Sequence, residues 1–246
     1  MTHPELGDRF RDRAHPPAFN LPTVLWGMIG LLAAVHLLRS SGLFDDDLVL
    51  SLFAFFPARL GSDAVLFPDS PLLEEASRYW SLLTYSLLHA DWLHLVVNCT
   101  WMMAFGSIVA RRLEALRFIV LSALGAIAGA VAYLIAHPVE FAVLVGASAA
   151  ISAQVAAAAR LMFVQPFMLQ RMSAYDLRRT PSLSLVETFT NRRALSFILL
   201  WLVLNVLFGL TGIGTSGEGR IAWEAHLGGF ISGLLLLGLL DRRADS

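Results

Sequence analysis

Trp92–Ala110 reads WLHLVVNCTWMMAFGSIVA, a run without one Asp, Glu, Lys or Arg. A helix on a soluble surface would carry charges on one face, and a membrane barrel strand would alternate apolar and polar positions. This run does neither. It has the roughly 17–25 residues that a helix needs to cross a hydrocarbon slab about 30 Å thick, and a helix satisfies its own backbone in lipid. Five further apolar blocks flank it, roughly Leu21–Leu38, Phe118–Ala136, Val143–Val164, Ala194–Leu210 and Ala222–Leu240. The fifth of the six blocks is the shortest and needs its flanks. Together they predict an all-α, polytopic membrane protein with six transmembrane helices.

Composition agrees. Of 246 residues, 57% are hydrophobic and 15% charged, against about 45–50% and about 25% in an ordinary globular domain. A formal net charge of −1 provides no basic field for nucleic acid, and so much oil excludes a disordered tail protein. All 18 basic residues are arginines. With the N-terminus in the cytoplasm, Arg9, Arg11, Arg13, Arg111, Arg112, Arg117, Arg160, Arg171, Arg178, Arg179, Arg192, Arg193, Arg242 and Arg243 fall inside. Only Arg39, Arg59, Arg78 and Arg220 fall outside. That is the positive-inside pattern, and it puts both termini in the cytoplasm.

The expected organisation is a cytoplasmic segment 1–20, a membrane domain 21–240 and a short cytoplasmic tail 241–246. Glu5, Asp8 and Asp12 make the N-terminal segment a poor signal-peptide start, so the first block reads as a retained span. The outer loop 40–91 carries apolar runs and acids, and is expected to fold onto the bilayer face. The inner loop 165–193 is arginine-rich and suits anionic headgroups. The lone Cys99 allows no internal disulfide.

Polar residues inside spans are the informative ones. His94 and Asn98 lie in span two, Ser148 in span four and His226 in span six. Spans alternate in direction, so these three start from the outer face. At about 1.5 Å per residue the four residues share one layer some 5–10 Å deep. Any one of them has a bland reading. Ser148, within Gly146–Ala153, fits a small-residue packing face, and His226 fits an interhelical hydrogen bond. The sharper reading makes Ser148 a nucleophile at a helix N-terminus, where free N–H groups hold an oxyanion. Gly229 and Gly233 form a G-x-x-x-G that brings backbones close. If the neighbour is span four, His226 meets Ser148 as its general base. No third carboxylate stands in the spans, so a Ser–His dyad has to suffice. His94 and Asn98, spaced i and i+4, share a face and can donate to developing negative charge.

His89 reads as an anchor of the outer loop, His36 as a snorkelling residue at the end of span one, and His137 as a loop residue. A metal site needs three or four ligands. His89, His94 and His226 come with no H-E-x-x-H and no Cys pair, so neither metal nor cofactor is assigned.

Three segments resemble the rhomboid family of intramembrane serine proteases. They are Tyr79–Asn98, leading into the second span; Gly146–Ala153, around the serine; and Ala222–Gly233, with its A-H-x-x-G-x-x-x-G pattern. Phe53–Leu60, with Pro57 and Arg59, adds to the likeness, which extends over roughly residues 22–240. The resemblance implies a six-helix bundle around a water-filled cavity. Ser148 would be the nucleophile and His226 the base. His94, Asn98 and Gly146 would serve the oxyanion and substrate. Substrate access would lie between spans two and five. Three departures stand out. Ala149 replaces the glycine after the serine. Ser152 replaces an aromatic residue near the histidine. Ala110 and Glu114 stand where a glutamate and then a glycine are usual.

The reading is thus a serine endopeptidase that cleaves in or near the transmembrane segments of other membrane proteins, in a bacterial-type inner membrane. The glycine-bearing loop Thr211–Trp223 would cap the site. A catalytically weak relative that binds membrane clients, its site crowded by Ala149, and a small channel are the alternatives.

Overall fold

The structure, a computed structural model, describes residues 21–62, 64–164, 180–211 and 221–241. Among these the regular elements are all helical, apart from one isolated antiparallel bridge between Phe55 and Leu144. The expected N-terminal segment, most of the inner loop, the cap 212–220 and the tail beyond Asp241 lie outside the described residues.

Helix α1 (Thr23–Ser40) starts after Pro22 and carries Arg39 in its last turn, a cation suited to the negative end of the helix dipole. The connection after it is folded. Helix α2 (Asp46–Phe53) is capped by Asp45, whose carboxylate accepts from Leu48 N at 3.0 Å. Helices α3 (Ala58–Gly61) and α4 (Pro71–Thr84) come next, the latter with proline at its first position, where no N–H is missed. Arg59, 1% exposed, pins α3 to α4. Its guanidinium donates to Glu74 Oε1 at 3.0 and 3.1 Å and to Ser77 Oγ at 2.6 Å. The other Glu74 oxygen accepts from Leu66 N and Phe67 N at 2.9 and 3.0 Å. Burial works against the Glu74 carboxylate, but these N–H groups and Arg59 hold its pKa below the ordinary value.

A 3₁₀ turn at Tyr85–Leu87 leads to α5 (Trp92–Trp101), N-capped by Asp91 through His94 N at 2.8 Å. A π-helical turn, Met102–Gly106, joins it to α6 (Ser107–Ala136). Then come α7 (Ser148–Met162), α8 (Leu185–Thr190, opened by a Ser184–Glu187 capping box), α9 (Arg192–Thr211) and α10 (Trp223–Leu240).

By length and composition, four described stretches are long and apolar enough to cross a membrane: α1, Trp92–Ala136, α9 and α10. The sequence led us to expect six, and the difference has two sources. The second and third blocks share one 45-residue helical stretch, which a kink at Glu114 divides into two helices, each about 33 Å long at 1.5 Å per residue and so about one bilayer core. At the kink, Glu114 has φ 66° and ψ 172°. The fourth block is helical only from Ser148. Its first residues are extended, because Leu144 pairs with Phe55 through bonds of 3.2 and 2.9 Å.

The core is built by α6, α7 and α10. In α7 every residue from Ala149 to Leu161 is buried, the pattern of a helix enclosed on all sides. Small residues allow it. A Cβ on Gly229 or Gly233 of α10 would collide with the Ala149 or Ala153 backbone, so these helices touch main chain to main chain. In contrast, α9 buries one stripe only, Ala194, Ile198, Trp201, Asn205 and Gly209, and exposes Leu199, Leu200, Val203, Leu207 and Leu210. Such an apolar exterior suits lipid.

Far from Ser148, arginines tie the helix ends. Arg112 pairs with Asp241 at 2.6 Å and donates to the Thr180 carbonyl at 2.7 Å. Arg160 donates to the carbonyls of Leu183 and Leu234 at 2.8 and 2.5 Å.

Candidate active site

Ser148 is the first residue of α7, where N–H groups lack intrahelical acceptors. The segment before it is held from two sides. Gly146 N donates to the Tyr85 carbonyl at 3.1 Å, and the Tyr85 hydroxyl donates to the Ala126 carbonyl of α6 at 2.8 Å. Burial pushes the pKa of that hydroxyl up, so it stays a donor. Gly146 has φ +119°, a conformation that side chains disfavour.

His226 stands in the first turns of α10. Its Nε2 lies 2.7 Å from Ser148 Oγ. Its Nδ1 lies 2.6 Å from Oδ1 of Asn205, on α9. The Asn205 amide nitrogen donates to the Trp223 carbonyl at 3.2 Å. The close passage of α10 along α7, at Gly229 and Gly233, carries the imidazole to the serine.

His94 and Asn98 come from successive turns of α5. A Cβ at Gly146 would stand 2.7 and 2.8 Å from His94 Cε1 and Nε2, and 3.7 Å from Asn98 Nδ2. Both side chains therefore border the backbone just before Ser148. His94 Nδ1 accepts from Ala90 N at 3.4 Å, which leaves Nε2 to carry the proton and act as donor. Asn98 is 5% exposed, and its Nδ2 has no hydrogen-bond partner among the described residues. A buried amide without an acceptor is costly, and an oxyanion beside Gly146 would satisfy it. The arrangement can take a proton from a hydroxyl and stabilise negative charge on a neighbouring oxygen.

All five residues singled out from the sequence thus lie together. The neighbours differ more from expectation. His36 does not snorkel: it is 4% exposed, its ring edge-on to Trp92 at 4.5 Å. His89 is fully buried, and its carbonyl accepts from Arg39 Nη1 at 2.7 Å. Burial, reinforced by His94 and His36, pushes the His89 pKa down to about 3, so it stays neutral. His137 lies between Glu140 and Glu224, at 3.1 and 3.2 Å. The Ala149 methyl packs against Gly129 of α6, where a second methyl would collide with it. Ser152 Oγ donates to the Ser148 carbonyl at 2.8 Å.

Asn205 was missed by the sequence reading, although a signal was present. It is a primary amide in the middle of LLWLVLNVLFGL, and polar side chains in apolar spans mark sites.

A search of curated proteins returned no match. A family model, the Rhomboid domain, matches residues 76–243, which takes in Ser148, His226, His94, Asn98 and Asn205. With the match extending over more than half of a chain whose described residues include four apolar helical stretches of membrane-crossing length, the protein belongs to the rhomboid family.

Proposed function

We propose that the protein is an intramembrane serine endopeptidase that cleaves peptide bonds in or near the transmembrane segments of other membrane proteins. The observation that carries this reading is the 2.7 Å approach of His226 Nε2 to Ser148 Oγ beside two side-chain donors. His226 takes the Oγ proton as Ser148 attacks the scissile carbonyl carbon. The oxyanion faces His94 Nε2–H, Asn98 Nδ2–H and the backbone N–H groups at the start of α7. The C–N bond then breaks, His226 returns the proton to the departing amine, and water hydrolyses the acyl-enzyme by the same base. Gly146 keeps the approach to Ser148 free of a side chain.

In this reading residues 21–240 form the membrane domain in six crossings, with both termini cytoplasmic. Trp92–Ala136 crosses twice around Glu114, and α7 is an enclosed crossing. A bacterial-type inner membrane suits the arginine distribution. The alternative is a catalytically weak or inactive relative that binds membrane clients; packing of the Ala149 methyl at Gly129 supports the protease over it.

The test is a fluorophosphonate probe applied to the full chain in proteoliposomes. Wild type should be labelled, and Ser148→Ala and His226→Ala should not. Asn98→Ala should lower turnover by about 100–1000-fold, the range for one oxyanion donor. A folded wild type that never reacts sinks the proposal.

A further inference from the structure

The Ser148–His226 pair is not isolated. Asn205 lies on the single buried stripe of α9, and both ends of its amide are engaged. The nitrogen end donates to the Trp223 carbonyl. That contact fixes which way the amide points, so the oxygen end faces His226 Nδ1 at 2.6 Å. An amide oxygen only accepts, so Nδ1 must carry the proton and Nε2 must present its lone pair to Ser148. One turn further along the stripe, a Cβ at Gly209 would stand 2.7–2.9 Å from Trp223 Cδ1, Cβ and Cγ. Gly209 therefore lets α9 close onto the residue that orients Asn205.

We infer that Asn205 is a positioning residue for the base: seated against Trp223, it locks His226 in the tautomer that can accept the Ser148 proton. The site is a Ser–His pair oriented by an Asn, the Asn supplied by a helix at the rim of the core. The inference rests on the protease reading for its kinetic part, while the tautomer itself is a property of the resting protein. With Asn205 gone, Nδ1 loses its acceptor and the Nε2–H form becomes populated. That form cannot act as base. An incorrect tautomer in a Ser–His–Asp triad costs up to about 10⁴ in kcat, and loss of a neutral partner should cost less.

The experiment compares wild type, Asn205→Leu and Asn205→Asp in proteoliposomes. Leucine keeps the volume and removes the acceptor, and aspartate keeps the acceptor. Imidazole ¹⁵N spectra assign the His226 tautomer. Fluorophosphonate labelling and cleavage of a transmembrane peptide give the rates. Asn205→Leu should populate Nε2–H, lower kcat and labelling rate by about 10–1000-fold, within the range for triad partners, and leave KM within a factor of about two. Asn205→Asp should restore the Nδ1–H form and most of the rate. If Asn205→Leu does not fold, the wild-type spectrum and Asn205→Asp still decide. Nε2–H in wild type, an unchanged kcat in folded Asn205→Leu, or an Asn205→Asp that folds without the Nδ1–H form overturns the inference. A wild type with Nδ1–H that never labels overturns the protease reading and leaves the role of Asn205 standing.

Discussion

Gly146 carries two constraints at once. Its φ of +119° disfavours any side chain, and a Cβ would meet the His94 ring at 2.7 Å. Gly146→Ala should therefore displace His94 as well as strain the backbone, with an expected fall in kcat of about 100-fold or more, as for a lost oxyanion donor. Probe labelling checks this, with a thermal midpoint in detergent confirming that the variant folds. The polar residues around Gly146 were visible in the sequence because charge and amide groups are scarce in oil. Asn205 was passed over for a geometrical reason. Ser148 and His226 stand in the first turns of their helices, where polar residues at a span's start draw notice. Asn205 stands in the second half of α9, away from any helix start. The rotation that turns it toward His226 is set by the Trp223 contact, which no spacing rule reveals.

Glu114 interrupts the longest helical stretch. Its φ of 66° and ψ of 172° fall in a region that is almost glycine-only and costs a side chain on the order of 1–3 kcal/mol. Glu114→Gly should stabilise the protein by about 1 kcal/mol, read as a raised thermal midpoint in detergent. The boundary was legible because RRLEALR at residues 111–117 puts charge between two apolar blocks, although its strong helix formers keep the chain helical on both sides of the break. Only the one backbone reversal separates the two halves. The start of α7 was misplaced. Val143–Ala147 is as apolar as the helix after it, but pairing of Leu144 with Phe55 and the positive φ of Gly146 keep it out of that helix. That partner lies some ninety residues away.

Across the molecule, His137 joins the end of α6 to the start of α10, through Glu224 two residues before His226. Burial alone would lower its pKa, but hydrogen bonds to Glu224 and Glu140 outweigh it and raise it above the ordinary 6.5. A raised folded-state pKa contributes stability that is fully present below the unfolded value and is lost as pH rises through the folded one. The difference in thermal midpoint between wild type and His137→Gln should thus be full below pH 6.5 and vanish on alkaline titration. A difference independent of pH would refute the charged clamp. The burial of α7 has a consequence for how the protein meets membranes of different thickness. Helices at the rim must tilt or shift when the hydrocarbon layer thins. A helix sheathed by protein along Ala149–Leu161, and locked to α10 at two glycines, has no lipid to match. In the proposed membrane setting, hydrophobic mismatch would fall on the lipid-facing α1 and α9, and Ser148 would keep its height relative to His226. Asn205 stands on α9, so a change in bilayer thickness would reach the proposed chemistry through that helix.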